Sequence, residues 1–136
     1  MQLKTLTYTS RARLDLRDED LIDIHQTARH LNALDGVTGL LLFDGSRFLQ
    51  IIEGGEAAVD NLVERLRMDS RHSAFEVRDE RYVDRRSFGD WSMEFVRVST
   101  GYRAAREEVA TILPDAMAAP VRELVMRMAG QLGAEA

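Results

Sequence analysis

The sequence predicts an α+β fold on the ferredoxin-like β-α-β-β-α-β-β plan, with two helices on one face of a largely antiparallel sheet and further helices at the C-terminus. Three observations predict it. Residues 2–8 alternate as a strand does, apolar residues recur at three- and four-residue spacing in two later stretches, and two apolar runs flank the turn sequence Asp44-Gly45-Ser46.

The first strand, residues 2–8, sets Leu3, Thr5 and Thr7 on one side and Lys4, Leu6 and Tyr8 on the other, with Tyr8 at its end. From Arg17 the spacing turns helical. Leu21, Ile24, Ala28 and Leu31 form the apolar stripe behind the acidic Asp18-Glu19-Asp20, which suits a helix N-terminus, and the helix is expected to end near Asn32. Asp35-Gly36 marks a turn, and the runs 37–43 and 47–52 form a β-hairpin. Glu53-Gly54-Gly55 ends it. Val59, Leu62, Val63, Leu66 and Met68 trace a second amphipathic helix, and strands are expected at about 75–82 and 91–98. Beyond Thr100 the chain is Ala-rich and charged, with Pro114 dividing helical stretches at about 102–112 and 117–132. Val121, Leu124, Val125 and Met128 give the second of these an apolar stripe suited to covering the far face of the sheet or a second subunit, the former being preferred. No effector domain is expected in this tail.

Composition narrows the function classes. With 136 residues the chain suits one core, and a net charge of −5, from 23 acidic and 18 basic residues, lacks the basic footprint of direct nucleic-acid binding. There is no cysteine, so disulfides, thiolate nucleophiles and cysteine metal sites are absent. The longest apolar runs fall far short of the ~20 residues that span a bilayer, and the N-terminus has no signal-peptide profile. A cytoplasmic protein with no membrane association is expected.

Several polar residues stand where chemistry is conceivable. His25, Arg29 and Asn32 share a stripe of the first helix, for which a solvated face is the commoner reading. Gln50 sits among Phe48, Leu49, Ile51 and Ile52, where an unsatisfied amide would cost ~1–3 kcal/mol, so it needs a partner unless it points to an open sheet face. Its carboxamide both donates and accepts. Asp69-Ser70-Arg71-His72, after the second helix, combines a carboxylate with cations able to hold phosphate, ribityl hydroxyls or a polar ring edge, with capping and surface ion pairing as the plainer alternative. Trp91 and Met93 fall on one side of the last strand, ordinarily as core. The three histidines lack metal-site spacing, the glycines form no phosphate-binding loop, and no nucleophile–base pair stands out.

Taken together, the Tyr8 strand, Asn32, Val37-Thr38-Gly39-Leu40-Leu41, Phe48-Leu49-Gln50-Ile51-Ile52-Glu53-Gly54, Asp69-Ser70-Arg71-His72 and Arg86-Ser87-Phe88-Gly89-Asp90-Trp91-Ser92-Met93 resemble the BLUF family of flavin photoreceptors. The resemblance runs from about residue 2 to 98. It implies a flavin-binding photosensor domain over 1–98 and a helical extension over 99–136, of the short single-domain type. It further implies a bound flavin, FAD by the family's pattern while the residues themselves leave FMN and riboflavin open, with its ring between the two helices.

By the same resemblance, Tyr8 donates an electron and a proton to the excited flavin, and Gln50 rotates or tautomerises so that the absorption shifts to the red until the dark state returns. Asn32 is assigned to the ring edge, Ile24 and Phe48 to ring packing, and Arg65, Asp69, Arg71 and His72 to the ring or ribityl-phosphate side. Arg29 is added on its place in the polar stripe. Trp91 and Met93 match the strand from which one or the other approaches the glutamine according to conformation. Leu31 stands where relatives often carry a polar residue, so one ligand contact is expected to be missing. A bacterial, dimeric, non-enzymatic sensor is implied, passing its signal through a homo-oligomer surface or to a separate protein partner. Two rival readings remain: a small acylphosphatase-like enzyme, which would be colourless, and a light-independent interaction module on the same fold.

Overall fold

The computed structural model describes residues 3–88, 94–97, 102–115, 117 and 119–134, with side chains for all of these except 27–35, 102–106 and 130–134. The chain runs β1 (Leu3–Ala12), α1 (Asp18–Asp35), β2 (Thr38–Phe43), β3 (Arg47–Gly54), α2 (Glu56–Arg67), β4 (His72–Val83), β5 (Glu94–Arg97), α3 (Tyr102–Ile112) and α4 (Ala119–Ala134). The sheet order is β4-β1-β3-β2-β5. Pairing is antiparallel between β1 and β3, β1 and β4, and β2 and β3, while β5 lies parallel to β2. This is the expected α+β arrangement, with a fifth strand added at the β2 edge.

Every residue of β3 from Phe48 to Gly54 is buried, because the central strand is covered on both faces. Alternation decides which side chain goes where. Leu6, Tyr8 and Ile52 join Val59, Leu62 and Val63 of α2 on one face, and Leu41, Phe43 and Phe48 join Leu21 of α1 beside them. Leu40, Leu42, Leu49 and Ile51 point the other way, against Val109 of α3 and Val121, Val125 and Met128 of α4. The C-terminal helices therefore dock on the chain's own sheet, the preferred of the two roles expected for their apolar stripe.

The hairpin turn is built by Asp44, whose Oδ1 accepts from the backbone N–H groups of Ser46 at 2.9 Å and Arg47 at 2.7 Å. Gly45 takes φ +103°, which side-chain-bearing residues rarely adopt.

Several boundaries differ from the sequence-based expectation. β1 continues to Ala12, so Tyr8 lies within the strand rather than at its end; Thr9, Ser10 and Arg11 carry no alternating signal but pair with Leu49, Phe48 and Arg47 of β3. α1 extends to Asp35, and β4 begins already at His72. Met68 is not part of the apolar face of α2: it is the C-cap residue and is 83% exposed. In the expected strand 91–98, residues 94–97 are extended, while Trp91 and Met93 lie outside the described residues.

Candidate functional site: a cleft between two helices and the sheet

On the α1/α2 face the structure forms a cleft with about 470 Å³ of non-atom space, part of it open to solvent. Its walls are largely apolar: Ile24 from α1, Leu41 and Phe48 from the sheet, and Leu62 and Leu66 from α2. Tyr8 and Gln50 form its polar floor, and Asp69, Arg71 and His72 line it as well. Such a slot, apolar on its faces with a few polar groups, is what a planar aromatic ligand requires.

The floor is set by strand register. Tyr8 and Gln50 are directly opposite one another across β1 and β3, and Leu41 is opposite Gln50 on the other side. Both polar side chains therefore leave the sheet on the same face. The Tyr8 hydroxyl donates to Gln50 Oε1, and the two residues are only 2% and 3% exposed. Gln50 thus has the partner that its apolar neighbours demand, and it does not lie on an open sheet face. Burial, with a smaller contribution from the negative charge of Asp69, pushes the Tyr8 phenol well above its ordinary range. Tyr8 remains a protonated donor at physiological pH. Its ring stacks on Phe75, with centroids 4.3 Å apart, and meets His72 edge-on at 6.3 Å.

The segment after α2 is rigidly held. Arg71 pairs with Asp69 through Nη2–Oδ2 at 2.7 Å and Nε–Oδ1 at 3.0 Å, and this bond, ahead of the cost of burial, lowers the Asp69 pKa. His72 is fixed at both ring nitrogens, Nδ1 against Ser10 Oγ at 2.8 Å and Nε2 against the Leu66 carbonyl at 2.5 Å. Arg71 keeps donor capacity beyond Asp69, since a guanidinium carries five N–H groups.

Of the residues singled out in the sequence, Tyr8, Ile24, Phe48, Gln50, Asp69, Arg71 and His72 meet in this one cleft. Arg65 does not line it; that side chain is exposed on α2. His25 is half-buried with its ring 5.5 Å from Phe95, rather than on a fully solvated stripe. The side chains of Arg29, Leu31 and Asn32, and all of Trp91 and Met93, lie outside the described residues. Sequence reasoning missed Leu41, Leu62 and Leu66 as cleft walls. Helical spacing identifies the last two as apolar-face residues but does not say that they border a cleft.

The chain matches the model of the BLUF family, described as sensors of blue-light using FAD, over residues 3–94. The chain belongs to the BLUF family. It is similar to BlrB, a BLUF protein of known dark-state structure, at 32% identity and a TM-score of 0.73, with 96% of each chain covered. The BlrP1 BLUF structure gives a TM-score of 0.81 at 28% identity, covering 98% of this chain and 91% of that one. A blue light- and temperature-regulated antirepressor of Escherichia coli is 35% identical over 92 residues, 68% of this chain and 23% of that protein. The beta subunit of the photoactivated adenylate cyclase of Euglena gracilis is 44% identical over 71 residues, which is 52% of this chain but 8% of that subunit. The chain thus spans less than a tenth of the cyclase subunit it matches.

What the family model describes is sensing, not catalysis, and its cofactor is FAD. The cleft fits that group. Ile24, Leu41, Phe48, Leu62 and Leu66 suit the faces of a flavin ring, Tyr8 and Gln50 suit its hydrogen-bonding edge, and Arg71 suits the polar remainder of the molecule, with the His72 ring as a wall beside it. Among the described residues there is no cluster of metal-ligating side chains, and no helix is long and apolar enough to cross a membrane.

Proposed function

We propose that Tyr8 and Gln50 form the hydrogen-bond switch of this BLUF sensor. The observation that carries the reading is the buried bond from the Tyr8 hydroxyl to Gln50 Oε1 on the floor of the cleft. When bound, FAD supplies blue-light absorption and an electron acceptor. Tyr8 is the donor of electron and proton, held protonated by its burial. Gln50 has chemically distinct ends, Oε1 accepting and Nε2 donating. Rotation or tautomerisation of its amide changes which partner receives a hydrogen bond, and that alters the absorption without net chemistry.

The remaining site residues follow from their places. Ile24 and Phe48 pack against the ring, Asp69 fixes Arg71, which meets the ribityl-phosphate side, and the His72 ring, held at both nitrogens by Ser10 and Leu66, flanks that side by packing. Arg65, exposed on α2 outside the cleft, suits phosphate that extends toward solvent. Asn32 and Arg29 are assigned to the ring edge and its surroundings, and Trp91 or Met93 to the strand that senses Gln50.

The signal leaves in trans, through a homo-oligomer surface or to a separate cytoplasmic protein, with α3 and α4 as the output element. Their packing on Leu49 and Ile51, the neighbours of Gln50 on β3, supports that route. The test is Gln50→Leu: the variant retains flavin and loses the light-induced red shift. A normal shift in Gln50→Leu removes the glutamine from the switch.

A further inference from the structure

Glu53 lies on β3 three residues beyond Gln50 and, by strand alternation, on the opposite face of the sheet. It is 1% exposed. Its Oε1 accepts from the Thr38 hydroxyl at 2.9 Å and from the Phe88 N–H at 2.5 Å, while Oε2 accepts from the Ser87 N–H at 2.8 Å. Arg86 Nη1 closes the group from outside, donating to Thr38 Oγ1 at 2.9 Å and to the Glu53 carbonyl at 3.4 Å. Three donors converge on an acceptor-only side chain, so the arrangement is complementary and needs both oxygens.

The position of this clamp matters because of topology. β4 is one edge of the sheet and β5 the other, so the chain between them must pass across. Glu53 fastens that crossing segment to the central strand. At the far side of the clamp, Phe88 is 1% exposed and belongs to the core shared with Val109 of α3 and Val125 of α4. One carboxylate therefore ties the strand that carries Gln50 to a residue seated under the C-terminal helices, and the segment it holds runs directly into residues 89–93.

We propose that Glu53 is the positioning residue that couples Gln50 to α3 and α4, by holding the Ser87 and Phe88 amides in the dark and loosening its hold on illumination. The proposal rests on the reading of Gln50 as the switch. Glu53→Gln is nearly isosteric but replaces one accepting oxygen by a donor, so it cannot satisfy Ser87, Phe88 and Thr38 together.

The experiment is amide hydrogen exchange on the full FAD-loaded chain, in darkness and under continuous blue light. In the native protein the Ser87 and Phe88 amides exchange about tenfold or more faster in light, the change expected when a typical hydrogen bond is lost. The Val59 amide, bonded to the Gly55 carbonyl at 3.0 Å in α2, stays unchanged. Glu53→Gln keeps the flavin red shift but loses the light–dark difference in exchange over 121–129. A merely structural carboxylate would raise exchange equally in both states and leave that difference in place, which overturns the proposal. Equal exchange of Ser87 and Phe88 in native protein, dark and lit, overturns it too, and decides the matter alone if the variant does not fold. Failure of the switch reading is seen separately, as a normal red shift in Gln50→Leu.

Discussion

Tyr8→Phe removes one oxygen from the floor of the cleft and little else. The ring remains, so its stacking on Phe75 at 4.3 Å and its burial between the sheet and α2 are retained. What is lost is the donor to Gln50 Oε1, at a residue only 3% exposed. Leaving a buried acceptor without that donor costs about 1–3 kcal/mol. A domain of this size holds about 5–15 kcal/mol in reserve, so the variant folds. Each kcal/mol lowers the melting temperature by about 3–5 °C at this chain length. The light response behaves differently: without the hydroxyl there is no proton to give and the Tyr8–Gln50 hydrogen bond is gone, so the red shift is abolished rather than reduced. The assay pairs a thermal melt with absorption difference spectra before and after blue light, on protein of equal flavin content. A Tyr8→Phe variant that melts a few degrees lower yet shifts normally would refute the reasoning.

Three further outcomes are expected. Arg71→Ala leaves Asp69 without its bidentate partner and removes a cation from the cleft, so FAD is retained less tightly, by at least about tenfold in Kd, as measured by flavin release on dilution. Val125→Ala, at a residue fully buried between α4 and the sheet, costs about 1–3 kcal/mol in urea unfolding, whereas a cost near zero would mean that α4 does not dock there. The raised Tyr8 pKa keeps its neutral form in the folded protein while the unfolded phenol ionises above about 10. This contribution to stability is therefore complete below pH ~10 and lost as the pH rises further, and denaturant unfolding at pH 9 and 11 measures it.

The parts of the fold written in local pattern were legible. The hairpin around Asp44-Gly45-Ser46, the acidic start of α1 and the apolar face of α2 carry their own signals, and together they give the order of elements. Strand ends were not legible in the same way. Thr9, Ser10 and Arg11 extend β1 only because Arg47–Leu49 and the start of β4 supply partners, which is a tertiary fact. The site divides along the same line. Gln50 announced itself as an amide among apolar neighbours, and the Asp69–His72 cluster as a mixed-charge turn. Leu41, Leu62 and Leu66 look like any core residues until the sheet and α2 are brought together around a gap. Glu53 was read as punctuation at the end of the hairpin; its buried bonds to Ser87 and Phe88 span more than thirty residues of sequence and leave no local trace.

The central claim is tested most directly by the absorption spectrum of the purified protein in darkness and just after blue illumination. The account predicts a bound-flavin spectrum that moves slightly to the red and returns in the dark. A colourless protein that takes up no added FAD, or a flavin spectrum indifferent to blue light, would contradict it.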